Sequence, residues 1–486
     1  MKKLGILVLA AALSSCTAGT TAVTGPRELP GISLAVTGAA TSLDFTNVGG
    51  AAIPAALMDN VYETLVFIDE QGKIQPRLAE SWEISDDGTT YTFQLKEGIT
   101  FSNGDEFTAD TAAFSIDFVQ DKWTNGIASR MEPVASAKAI DKHTLEVQLE
   151  QRSNNWLWSM ATATGAMMAP TGVDDLANSP VGTGPFEVSM FVPNEFVQLS
   201  TRADYWGENA ERDVTIHYFP DGVSSVNALQ SGSVDIVWAL PAPELLADLP
   251  DDFNVEVGTT NGEVLLSMNN DTEPFNDPDI RRAVAYGIDR AAINDIMWDS
   301  LGTDTGGAPV PPTDPWFSQK DYYPYDPAKA KKLLAGRNPK ITITSPTLPY
   351  AQTISEFLYS ELTELGFQVT LETAEFPAVW LGQVMGAQDY DMSLIGHLEP
   401  RDIPAMFGDP DYYLGYDSER TRKLLAAADS SEGGQTPKMR EAIDQIMADI
   451  PALTLMNMPN IVLSQPGIEG IQPNQVTDAM VLRELR

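Results

Sequence analysis

Residues 78–119 read LAESWEISDDGTTYTFQLKEGITFSNGDEFTADTAAFSIDFV. Trp82 and Ile84 alternate with polar residues and so share one face of a strand. Asp86-Asp87-Gly88 is a turn, because Gly tolerates positive φ and Asp bonds its own backbone. Tyr91, Phe93 and Leu95 place a second apolar row on one face of the return strand. Asn103-Gly104 is another turn. Thr108 is positioned to cap a helix in which Phe114 and Phe118 stack at i, i+4. The stretch is therefore a hairpin, a tight turn and an amphipathic helix.

The chain around it has 486 residues, too many for one ordinary core, so two or three domains are expected. Sixty-eight acidic residues against 30 basic ones give a net charge of −38. Such a surface repels phosphate backbones, which argues against nucleic-acid binding; otherwise the charge speaks to solubility, or to a preference for cationic ligands. Lys2 and Lys3 precede a short apolar run over residues 5–13, too short to span a bilayer. Leu13-Ser14-Ser15-Cys16 then has the form of a bacterial lipobox, and Cys16 is the only cysteine. Residues 1–15 are expected to be a signal peptide, Cys16 the lipidation site, and residues 16–30 a flexible tether.

Further along, residues 32–36 form a candidate strand and residues 55–65 a candidate helix. Gly182-Thr183-Gly184-Pro185 needs glycines for its backbone geometry. No helix or cation follows it, so it is not a phosphate cradle. Residues 235–238 form a strand ending at Trp238, which is either core packing or an aromatic wall. The strand at residues 264–269 ends at Asn269, a candidate ligand contact. Asp277-Pro278 and Asp326-Pro327 start helices; Arg281 and Arg282 are expected to face solvent or pair. Beyond residue 340 the alternation is strand–helix–strand, which implies a largely parallel sheet. Residues 453–455 and 461–463 return as separate strands.

The search for catalysis is negative. The three histidines, His143, His217 and His397, have no metal-ligand spacing, and no nucleophile elbow, Walker loop or EF-hand occurs. Paired acids such as Asp86-Asp87 sit in turns. No cofactor is expected.

Residues 78–119 closely resemble the bacterial extracellular solute-binding proteins of family 5, the peptide- and nickel-type receptors of ABC importers. GTGPF at 182–186 with DYWG at 204–207 is similar to the same family, as is FNDPDIRRAVAYGIDRAAI at 275–293. The resemblance implies an α/β, two-lobed periplasmic-binding-protein-like fold with a hinge and an extra small α+β domain. Residues 31–58, 180–262 and 460–486 would form lobe I, residues 59–179 the small domain II, and residues 263–459 lobe II. It implies no enzyme but a lipid-anchored, exported receptor. That receptor would be a monomer, capturing a small peptide and passing it to ABC permease subunits. Nickel, metallophore, opine or sugar ligands on the same scaffold stay open, as, more remotely, does a secreted hydrolase. Asp44 and Phe45 would lie at the cleft mouth. The relatives' Gly-Trp-x-x-Asp segment, whose Asp pairs with the peptide amine, becomes Gly396-His397-Leu398-Glu399-Pro400-Arg401-Asp402 here. His397 replaces the Trp, and Glu399 or Asp402 would replace the Asp. Arg401 is left as a partner for a ligand carboxylate. Tyr412, Tyr413 and Tyr416 either meet the ligand or pack the loop.

Overall fold

The computed structural model describes residues 31–486. The expectations for the signal peptide, Cys16 and the tether lie outside the described residues.

Hydrogen bonding joins the two lobes into one ten-stranded sheet. One end runs Gln368–Ala374, Lys340–Pro346 and Met392–His397, which are mutually parallel. The other runs Ile236–Val237, Ile32–Val36, Val214–Tyr218, Phe196–Thr201 and Phe186–Val192. Two long antiparallel strands, Asn254–Met268 and Ala452–Ser464, lie between and belong to both lobes. Their ladder is irregular between Thr259 and Glu263. Asn457 spans that irregularity: its amide donates to the carbonyls of Thr260 (3.0 Å) and Gly262 (2.8 Å) and accepts from Thr259 Oγ1 at 2.8 Å.

The two strands exceed the expectation of short pieces at 264–269, 453–455 and 461–463. Local pattern stops at the polar Asn457 and at Pro459. Cross-strand pairing continues past them, because Asn457 supplies hydrogen bonds that the bulged backbone lacks.

The opening stretch folds as a four-stranded antiparallel sheet, ordered Ala79–Ile84, Thr90–Leu95, Thr144–Leu149, Val134–Asp141, with the helix Ala109–Lys122 against it. Tyr91, Phe93 and Leu95 are buried, whereas Ile84, on the edge strand, is exposed. Thr108 caps the helix with a reciprocal bond to Thr111, and the Phe114 and Phe118 rings stack at 5.5 Å. The apolar core of this sheet is continuous with that of the sheet around Ile32–Val36; lobe II has a separate core.

Two local expectations are corrected. The helix over 55–65 is only Ala52–Leu57. Beyond it the backbone turns through Asp59 at φ 62°, and its carbonyls serve other segments: Phe186 N–H donates to Asn60, Gly184 N–H to Val61, and Met167 N–H to Glu63. A helix there would consume those acceptors. Arg281 is buried and donates to the carbonyls of Phe275, Asp449 and Ile450, instead of facing solvent or pairing with an acid.

Candidate functional site

A recess of about 350 Å³ opens between the small antiparallel domain and lobe II. One wall is built by the 3₁₀ turn Gly126–Met131 and the short helix Asn154–Ser159. They contribute Arg130, Trp156 and Trp158. The other wall is the segment between Met392–His397 and the helix Ile403–Gly408, carrying Glu399, Arg401 and Asp402.

The walls already touch. Asp429, at the end of the helix Glu419–Asp429, reaches across to the N-terminus of Asn154–Ser159. Its Oδ1 accepts from Asn155 N–H at 2.8 Å and Ser153 Oγ at 3.1 Å. The side-chain amide of Asn154 donates to the carbonyls of Ala428 and Ser431. A carboxylate beside unpaired N–H groups is a favourable helix cap, here supplied by the opposite lobe.

Arg401 has φ 55°, which swings its side chain across the recess floor. Its guanidinium lies 4.6 Å from the Trp158 ring and 4.4 Å from the Trp316 ring, and its Nε donates to Asp314 at 3.0 Å. Arg401 is thus a strut between the two walls, with its charge already committed. Arg130 is held more loosely: its nearest carboxylate, Glu399, is 3.9 Å away and itself exposed.

Behind this surface lies a line of buried groups. His397 stacks on Tyr413 with ring planes 8° apart, and its Nε2 is 3.0 Å from the Tyr413 hydroxyl, which in turn pairs with Ser267 at 2.7 Å. Burial pushes the His397 imidazole down to about 4, so it is neutral, and its Nδ1 is 3.6 Å from Asp402. Asp402 is pushed up to about 8, first by burial and then by Glu399 and Asp314. Glu263 is 3% exposed and is raised well above the carboxylate range by burial and by Asp402. Its Oε2 accepts from Thr454 at 3.0 Å, and its Oε1 has no partner among the described residues.

Of the residues expected from sequence, Glu399, Arg401 and Asp402 line the recess and His397 stands behind them. Tyr412 packs on Tyr413 with ring centroids 4.9 Å apart, beside this group. The others are not brought there. Asp44 is taken up by Thr46 and Asn47 in its own turn. Phe45 is 1% exposed and packs edge-on against Tyr62 and Trp123. Trp238 is buried in the core shared by lobe I and the small domain. The Asn269 amide serves the carbonyls of Gln388 and Tyr390, and Tyr416 bonds Thr421 and Asp449. Sequence reasoning missed Arg130, Trp158, Glu263, Asp314 and Asp429. Of these only Glu263 carries a local signal, a charge opening the apolar strand VLLSM.

Among the described residues no group of His, Cys, Asp and Glu is arranged to hold a metal ion, and no helix is long and apolar enough to cross a membrane.

The chain is 29% identical over 327 residues to the glutathione-binding protein GsiB of Escherichia coli O1:K1 / APEC; the match covers 64% of this chain and 64% of that protein. The chain thus matches about 64% of the length of these curated relatives. Its fold is that of the ABC transporter substrate binding protein CtaP from Listeria monocytogenes (TM-score 0.82, 21% identity, 94% of this chain and 99% of that one). It is also that of the periplasmic binding protein DppA from Helicobacter pylori in complex with the peptide STSA (TM-score 0.77, 24% identity, 93% and 97%). Residues 73–418 match the profile described as bacterial extracellular solute-binding proteins, family 5 Middle. That span is most of the sequence, and the chain belongs to the family 5 bacterial extracellular solute-binding proteins.

Proposed function

We propose that this protein is the substrate-binding component of an ABC importer, capturing a short peptide between its lobes and presenting it to a membrane permease. The observation that carries the reading is the recess between two walls, where acids and a loosely held arginine converge beside tryptophan faces. Its volume of about 350 Å³ suits a ligand of two or three residues. Asp402 and Glu399 receive the ligand ammonium group, and Arg130 turns from Glu399 to the ligand carboxylate. Trp156 and Trp158 supply the apolar wall. The bulge at Thr259–Glu263 is the hinge, and Cys16 carries the lipid that holds the receptor at the membrane surface. Support comes from family membership, from relatives named as glutathione-binding and from a structural neighbour bound to a peptide.

The test is a thermal-shift and calorimetry screen with glutathione, di- to hexapeptides and a nickel–histidine chelate. A ligand that binds only the folded state at about 100 times its Kd stabilises it by roughly 2.7 kcal/mol, a shift of several degrees. Peptides are expected to give that shift. A shift with the nickel chelate alone, or peptide hydrolysis during the assay, would overturn the reading.

A further inference from the structure

The charged groups of the recess are not balanced. Arg130, Arg401, Glu399, Asp402 and Asp429 line it. Arg401 is tied to Asp314 at 3.0 Å and to two indole rings, and Arg130 faces Glu399 at 3.9 Å. Asp429 is left without a cation: among the described residues its partners are the Asn155 N–H and the Ser153 hydroxyl.

Its place is unusual for an acid. Asp429 ends the helix Glu419–Asp429, where the dipole of its own helix disfavours negative charge. The cations of that helix do not reach it. Arg422 pairs with Asp417 and Lys423 with Glu419, and Arg420 stands more than two helical turns earlier. Arg152, next in the chain to Ser153, is turned to the Asp86 carbonyl at 2.7 Å. Only one carboxylate oxygen is occupied. Oδ1 accepts from Asn155 N–H at 2.8 Å and from Ser153 Oγ at 3.1 Å. Oδ2 accepts no hydrogen bond among the described residues, and it is not a buried atom. The surroundings hold the carboxylate in place. The Asn154 side-chain amide donates to the Ala428 and Ser431 carbonyls, and Gln435 Nε2 donates to Asn155 Oδ1. Burial raises the Asp429 carboxyl and the N–H groups beside it oppose that; a cation would complete the compensation.

We propose that Asp429 selects the ligand: its Oδ2 receives the ammonium or guanidinium group of a lysine or arginine side chain in a bound peptide. Ile127, Pro133 and Pro404 line the same recess and offer apolar surface to the stem of that side chain. This role is separate from that of Asp402 and Glu399, which take the terminal ammonium group. The net charge of −38 favours the arrival of cationic ligands without deciding where they bind. The inference rests on the reading of the recess as a peptide site and names the class of peptide it prefers.

The experiment is titration calorimetry of the full protein at about pH 7, where a lysine side chain is protonated. The probes are alanine tripeptides with one lysine at the first, second or third position. Each is matched with a tripeptide carrying norleucine at the same position. In wild type at least one lysine peptide is expected to bind about tenfold tighter than its norleucine match. Asp429→Asn keeps an acceptor for Asn155 N–H and removes the charge, so that ratio falls to within about twofold of one. The ratio separates selection from the part Asp429 plays in joining the walls, because loss of that contact weakens both peptides of a pair alike. If Asp429→Asn does not fold, Asp429→Ser supplies the same comparison. A wild type indifferent to lysine, or a preference that survives loss of the charge, overturns the assignment and leaves the peptide reading standing. No binding by any of the peptides overturns both.

Discussion

Asp402 illustrates how burial can set a residue against its own fold. Its carboxyl is raised to about 8 by desolvation and by Glu399 and Asp314, far above its unfolded value. The native state therefore holds a proton that the unfolded state has lost, from about pH 4 to about pH 8. Across that window each rise in pH removes stability. Asp402→Asn keeps the shape without the ionisation, so it is expected to raise the melting temperature at pH 8 more than at pH 5. The difference should correspond to about 1–3 kcal/mol, read by calorimetry at both pH values. The same variant is expected to lose at least tenfold in peptide affinity, because the ammonium loses its charged acceptor. A parallel loss of affinity and stability would contradict this division. Arg130 gives a second prediction at this scale. Its nearest carboxylate is 3.9 Å away, so it is available to a third group. Arg130→Met is expected to weaken binding of free-acid tripeptides by about tenfold. The C-terminal amides should bind wild type and variant alike, as measured by calorimetry. Equal losses for both would remove Arg130 from the carboxylate role.

Among elements, the helix Asn154–Ser159 has its own cap, Ser153 Oγ accepting from Trp156 N–H, and takes a second acceptor, Asp429, from the other lobe. Asp429→Ala is expected to cost about 1 kcal/mol, the usual worth of an N-cap, and to loosen the contact between walls. The checks are thermal melting and a larger radius of gyration by solution scattering; an unchanged radius would mean that Arg401 and its tryptophans hold the walls unaided. Glycines separate rigid from compliant neighbours. A Cβ on Gly182 would lie 2.0 Å from the Val61 carbonyl oxygen, a backbone atom committed to Gly184. A Cβ on Gly287 would lie 2.1 Å from Leu365 Cδ1, the far end of a flexible side chain. Gly287→Ala is therefore expected to stay within about 1.5 kcal/mol of wild type. Gly182→Ala should fail to accumulate as folded protein, which expression and circular dichroism would show.

Over the whole molecule, the long strands Asn254–Met268 and Ala452–Ser464 carry one sheet through both lobes. Asn457 closes the polar accounting of their bulge. Under the hinge reading, peptide contracts the molecule because the closed arrangement offers both walls to one ligand. Solution scattering is expected to give a smaller radius of gyration with saturating peptide. Asn457→Ala removes the amide donor from the Gly262 carbonyl, leaves the Thr260 carbonyl only a long bond from Thr259 Oγ1 at 3.4 Å, and should lower the melting temperature by the equivalent of about 1–3 kcal/mol. A radius unmoved by bound peptide would refute closure.

The sequence by itself determined the local grammar and the family. Gly88, Thr108 and Asp277 act through neighbours within a few residues, so turns, caps and helix starts were legible where they occur. Motif wording then carried the two-lobed fold, which the structural relatives share. For the candidate site, chain order pointed to residues 396–402, because an unusual polar run after a buried strand is visible locally. Asp44, Asn269 and Tyr416 have their polar groups bonded within the protein to partners no pattern announces. Only the tertiary structure decided the rest. Arg130 meets Glu399, Trp158 meets Arg401 and Ser153 meets Asp429 across separations of more than two hundred residues. Glu263 and Asp402 are raised by desolvation only when a strand and a loop fold together and exclude water. Contacts of that kind are set by packing between lobes, and desolvation exists only in the folded chain.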